Sequence, residues 1–212
     1  MIRSVDEFVL FDDMQFTKRD WRSRNRIKTP NGLHWLTVPV DVKGKFDQRM
    51  RDARVADPGW STQHWRSIRH SYCKTPYFNA YEPALVAMFD GLRDEQLLSQ
   101  VNHRLIAGLC GLLAISTPLT WSMDYPQREG KSERLVSICQ AAGATRYLSG
   151  PAARDYVDLR LFAKAGIEVV FADYSGYPEY PQPHGAFEHA VTVLDLLFNV
   201  GPEAPAYMKR LV

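Results

Sequence analysis

The stretch from Pro118 to Tyr174 constrains the fold more than any other part of the sequence. Short apolar runs, PLTWS, TRYLSG and IEVVFADY, alternate with helix-patterned stretches, KSERLVSICQAAG and PAARDYVDLRLFAKAG. Strands joined through helices in such short steps run parallel, because a right-handed crossover packs back onto a twisted sheet. Gly143 and Gly166 stand where the helices should stop, since glycine accepts the left-handed backbone that ends them. The expected class is α/β, a three-layer Rossmann-like domain with a mainly parallel sheet.

The first half is less regular. EFVLF, Glu7 to Phe11, reads as a buried strand, and LHWLTVPV, Leu33 to Val40, as a second. Trp60, His64, Trp65, Ile68 and Tyr72 recur at helical spacing. Thr75-Pro76 opens another helix, and Asp94 caps a third that reaches Ile115. The expectation is a single domain over 1–212 with a helical insertion at about 60–115. AFEHAVTVLDLLFNVG reads as a last long helix.

Several classes fall away. The apolar run Leu105–Ile115 is shorter than the ~20 residues that cross a bilayer, so no membrane span is expected. Three separated cysteines form no CxxC pair and fit a reducing cytoplasm. The six histidines form neither HxxxH nor HExxH, so no metal site is expected. GxSxG, GxGxxG and GxxxxGK[ST] are absent. A net charge of +2 is too small for a dedicated nucleic-acid binder.

Four places remain for chemistry. Asp12-Asp13 closes the first strand, where open α/β sheets bind ligands; the pair reads equally well as turn carboxylates. FTKRDWRSRNRIKTPNG follows, a basic stretch read as a loop. In it Arg22, Arg24 and Arg26 suit bidentate phosphate or carboxylate binding, Trp21 suits stacking on a base or sugar, and Asn25 lies between the arginines. Lys18 and Arg19 read as a solvated face. Nucleic acid would also suit the charge, but the aromatic interleaving is thin. Ser149-Gly150 before Pro151 reads as an anion-binding strand–helix turn or a plain tight turn, with Tyr156 close behind. Thr192, Asp195 and Asn199 form one stripe of the last helix, facing either solvent or a polar pocket.

Taken in order, FDDMQF, RSRNRIKTPNG, WLTVPV, HWRSIRHSYCKTPYFNAY, ERLVSICQAAGATRYLSGPAARDY, GIEVVFADY, PEYPQ and VLDLLFNVG resemble the WbqC-like family over nearly the whole chain. The resemblance implies an association with O-antigen and surface-polysaccharide gene clusters. It implies transfer of glycine or a similar acyl unit to an amino sugar; with the basic stretch holding phosphates, that sugar is expected to be nucleotide-linked, the amino acid and the nucleotide sugar being the small-molecule partners. Family members usually begin with a strand and loop like IHQPNYLPWLGYF, so a truncated or misplaced start is expected ahead of Met1-Ile2-Arg3. A His expected before the PEYPQ loop is replaced by Gly176-Tyr177-Pro178. LFDDMQF is also similar to a motif of nucleotidyltransferases related to pantothenate synthetase, in which a Gln binds the carboxylate substrate. That likeness gives Gln15 the acyl donor, Asp12 or Asp13 the amine, and ATP a place as the candidate cofactor. The alternative is a non-catalytic nucleotide-sugar or nucleic-acid binding protein.

Overall fold

The computed structural model describes residues 1–211. In chain order its main elements are β1 (Phe8–Leu10), β2 (Arg24–Thr29), β3 (Gly32–Thr37), α1 (Trp60–Tyr72), α2 (Phe78–Asp90) and α3 (Leu98–Leu112). β4 (Leu119–Trp121), α4 (Lys131–Ala141), β5 (Arg146–Ser149), α5 (Leu159–Lys164), β6 (Glu168–Phe171) and α6 (Val193–Val200) follow. The class is mixed α/β. The chain forms two compact units, each assembled from separated stretches of sequence.

The first unit comprises Met1–Asp13, Ile115–Gly176 and the residues from Lys209 on. β1 runs parallel to β4 with Val9 opposite Thr120, and β5 runs parallel to β6 with Leu148 opposite Val170. The alternation seen in the sequence therefore gives parallel pairs, but a more broken sheet than expected. Among the described residues β1 pairs only with β4, and β5 only with β6. Helix stops are where the glycines are: Gly143 at φ +66° follows α4, and Gly166 at φ +73° follows α5. Asp158 starts α5 by accepting from the Arg160 N–H at 2.9 Å. The buried side chains of Cys139, Phe162 and Ile167 form the core, with Tyr147 stacked on Phe162 at 5.2 Å.

The second unit comprises Met14–Ala114 and Tyr177–Met208. The basic stretch is not a loop. Its second half is β2, which pairs antiparallel with β3 through a two-residue Pro30-Asn31 connection, Thr29 facing Gly32. α1, α2 and α6 meet in an aromatic core: Trp65 stacks on Phe78 at 5.9 Å, and Phe198 lies 5.1 Å from Phe78 and 5.3 Å from Tyr72. Burying each such ring stabilises the unit by about 1.5–3 kcal/mol.

Two helices are shorter than the sequence suggests, for local reasons. α3 begins at Leu98, because residues 96–98 are used in pairing: the Val55 N–H donates to Gln96 O and the Leu98 N–H to Ala53 O. α6 begins at Val193, with the buried Thr192 side chain accepting from the Leu194 N–H. Ahead of it, carbonyls that a longer helix would need are taken by side chains. Lys28 Nζ donates to Ala186 O at 2.5 Å, Gln182 Nε2 to Glu188 O at 3.0 Å and Arg26 Nε to Ala190 O at 2.8 Å. No helix among the described residues is long and apolar enough to cross a membrane.

Candidate functional site

Alternation along β2 puts Arg24, Arg26 and Lys28 on one face of the strand. The hairpin register sets Trp35 opposite Arg26. Arg24 lays its guanidinium over the Trp35 ring, 4.0 Å from the centroid. Arg26 lies 5.4 Å from Trp35 and 5.5 Å from Trp21, and the two indoles are 5.0 Å apart at 54°. Trp21 is nevertheless 58% exposed and Trp35 36%.

The guanidiniums on this face have few partners. Among the described residues Arg24 makes no hydrogen bond from its buried Nε and has no carboxylate beside it. Among the described residues the Arg26 guanidinium donates only to the Ala190 carbonyl. Arg22, in contrast, is engaged inside its own turn. Its Nη2 donates to Asp20 Oδ2 at 2.6 Å and to Thr17 Oγ1 at 2.8 Å, while Thr17 Oγ1 donates to Asp20 Oδ2 at 2.6 Å. Burial alone would raise the Asp20 carboxyl, but hydrogen bonds from Arg22 and Thr17 outweigh it and hold it at about 2. Asn25 turns back to accept from the Arg26 N–H at 2.8 Å.

Behind this face lies a closed polar network. Lys28 is 4% exposed, and its ammonium donates to Gln182 Oε1 and to the Gly185 and Ala186 carbonyls. Gln182 donates to Tyr180 Oη at 3.1 Å. Tyr180 and Tyr72 each donate to Asp195, at 2.9 and 2.8 Å, and Asn199 Nδ2 donates to the Asp195 carbonyl at 2.7 Å. Asp195 is 0% exposed, so the stripe of Asp195 and Asn199 faces the interior rather than solvent. Burial raises the Asp195 carboxyl, with the two tyrosine hydrogen bonds opposing it. Burial, then the neighbouring Asp195 charge, raises both tyrosine hydroxyls.

The remaining expected site residues divide between the units. In the second, Gln15 Nε2 donates to Phe46 O at 3.0 Å. In the first, Asp13 is buried and ion-paired with Arg134 Nη1 at 3.1 Å, directly past β1, with Asp12 half-buried beside it. Ser149 is buried at the end of β5, and Gly150 leads into a 3-10 turn, Pro151–Asp155, rather than an α-helix. Tyr156 is exposed just beyond it. No group of three or more His, Cys, Asp or Glu suited to a metal ion occurs among the described residues. Trp35 and Arg134 escaped the sequence reading. The signal for Trp35 was present: Pro30-Asn31-Gly32 marks a tight hairpin, and the hairpin brings Trp35 across from Arg26.

Residues 1–207 match the WbqC-like protein family. The chain belongs to that family. This WbqC-like chain is 49% identical over 210 residues to uncharacterized protein Rv1507c of Mycobacterium tuberculosis, an alignment covering 99% of this chain and 90% of the relative. No solved structure matches it.

Proposed function

We propose that this WbqC-like protein is a cytoplasmic acyl or aminoacyl transferase that joins glycine, or a similar acid, to a nucleotide-linked amino sugar in surface-polysaccharide (O-antigen) biosynthesis. One observation carries the phosphate half of the reading: Arg24 and Arg26 pack against Trp35 on one strand face with no carboxylate beside them. Two guanidiniums so close, partly desolvated and uncompensated, favour an anion. Family membership supports the polysaccharide context.

In this reading Arg24 and Arg26 hold phosphate, and Arg22 shapes the turn that carries Trp21. Gln15 takes the acyl donor, and Asp12 or Asp13 the sugar amine. In the first unit, Ser149, Gly150 and Tyr156 are taken as substrate-binding residues at the end of β5. The acid's carboxylate attacks the α-phosphorus of ATP and pyrophosphate leaves. The sugar amine then attacks the acyl carbon, AMP departs with the bonding pair, and the amine proton passes to an aspartate. The same reading takes the parallel pairs as parts of a three-layer Rossmann-like sheet within one functional domain, 1–212.

A non-catalytic nucleotide-sugar binding protein is the second reading. It is favoured by the engagement of two residues given chemical roles, Gln15 with Phe46 O and Asp13 with Arg134. The purified protein, incubated with ATP, glycine and a dTDP-linked amino sugar, separates the two. Pyrophosphate release together with a glycylated sugar, seen by mass spectrometry, supports the transferase. Binding of the sugar nucleotide without either product supports the second reading and overturns the first.

A further inference from the structure

The proposed nucleotide-linked substrate leaves open what Trp21 does, and this inference rests on that reading. An indole 58% exposed on a turn gains little for the fold, yet the turn is held firmly. Thr17, Asp20 and Arg22 hydrogen-bond in a closed triangle around it, and Asn102 Nδ2 donates to the Arg22 carbonyl at 2.8 Å. A platform fixed before binding loses little conformational freedom when a ligand arrives. Trp35 is differently placed, because the Arg24 guanidinium already occupies a face of its ring at 4.0 Å. Trp21 is the more accessible indole, 58% exposed against 36%, and the Arg26 guanidinium lies farther from its ring, at 5.5 Å.

A flat apolar surface beside two guanidiniums, carried by residues whose backbones stand about 7 Å apart along the strand, matches a molecule with a planar ring at one end and adjacent phosphates at the other. We propose that this face of the hairpin is a nucleoside-diphosphate subsite, the base stacking on Trp21 and the diphosphate lying on Arg24 and Arg26. An indole stacks on any base, so the platform supplies affinity, with little choice among bases. The sugar beyond the second phosphate is then held by other residues.

Isothermal titration with TDP, inorganic pyrophosphate and a single-stranded dT oligomer tests this on the full chain. TDP should bind at least about tenfold more tightly than pyrophosphate, the contribution of one stacked base. Trp21→Ala should bring TDP down to the pyrophosphate affinity and leave pyrophosphate binding unchanged. Trp21→Phe should recover part of the difference. The melting temperature of the free protein should barely move. Equal binding of TDP and pyrophosphate, or no effect of Trp21→Ala on TDP, overturns the stacking role while leaving the phosphate site standing. Binding of neither overturns the phosphate site as well. Tighter binding of the oligomer per site than of TDP overturns the assignment in favour of a strand of nucleic acid.

Discussion

Acid should weaken the second unit through one residue, His64. It projects from α1, donates Nε2–H to Thr37 O at 3.0 Å and stands edge-on to Trp60 at 5.0 Å. Burial lowers its pKa from 6.5 to about 4, against the opposing Thr37 hydrogen bond, with His34 lowering it further. Above pH 6.5 the ring is neutral whether the chain is folded or not, and stability is at its full value. Below that, the unfolded chain takes up a proton that the folded one refuses, so the His64 contribution to stability falls as pH falls toward 4 and then levels off. Each unit of difference is worth about 1.4 kcal/mol. The gap between 6.5 and about 4 gives a loss of about 2–3 kcal/mol for a ring with some remaining access to solvent.

Urea unfolding of wild type and His64→Gln at pH 7 and pH 4.5 isolates this term, because glutamine still donates to Thr37 O and does not titrate. Tryptophan emission is a suitable probe: of the five tryptophans, Trp121 alone lies outside the second unit. Wild type should lose about 2 kcal/mol more than the variant over that interval. Parallel losses would refute the burial argument and mean that the ring protonates freely in the folded protein.

Asp195→Asn should lower stability by about 1–3 kcal/mol at pH 7, because an amide cannot accept well from both tyrosine hydroxyls; the urea midpoint measures it. Gly201→Ala should be at least as damaging: φ is +58° and a Cβ would lie 2.4 Å from Tyr77 Cδ1, a clash visible as a large drop in melting temperature. Arg24→Ala should weaken TDP binding about tenfold with little change in melting temperature, while Lys18→Ala leaves both as they were; equal small losses would reduce the strand to a solvated basic face.

The residues that were legible in the sequence were those whose meaning is local. Gly143 and Gly166 end helices by their own backbone preference, and the β5–α5–β6 step follows from apolar runs flanking a helical one. Arg24 and Arg26 were legible as ligand candidates but not as a strand. Alternation there gives charge on one side and Asn25, Ile27 and Thr29 on the other, with Ile27 the sole apolar residue. Only the partner strand makes that pattern a β-structure. Residues 186–191 carry helical periodicity, yet Lys28, Gln182 and Arg26 capture their carbonyls. The sequence left Asp195 open between solvent and a polar pocket because Tyr72, which helps bury it, is 123 positions away.

The split of the second unit along the chain has a consequence in time. Lys28 and its acceptor Gln182 are 154 residues apart, and at about 5–20 residues per second the ribosome needs roughly 8–30 s to deliver the second after the first. Throughout that wait Met14–Ala114 has its tryptophans and Tyr72 but neither Tyr180, Asp195 nor Phe198 to close over them. The nascent segment therefore carries an ammonium and an aromatic cluster with no interior to receive them. A chaperone that holds such surfaces should raise the yield of this protein, and a message truncated before Tyr177 should yield a first half that is degraded rather than stored.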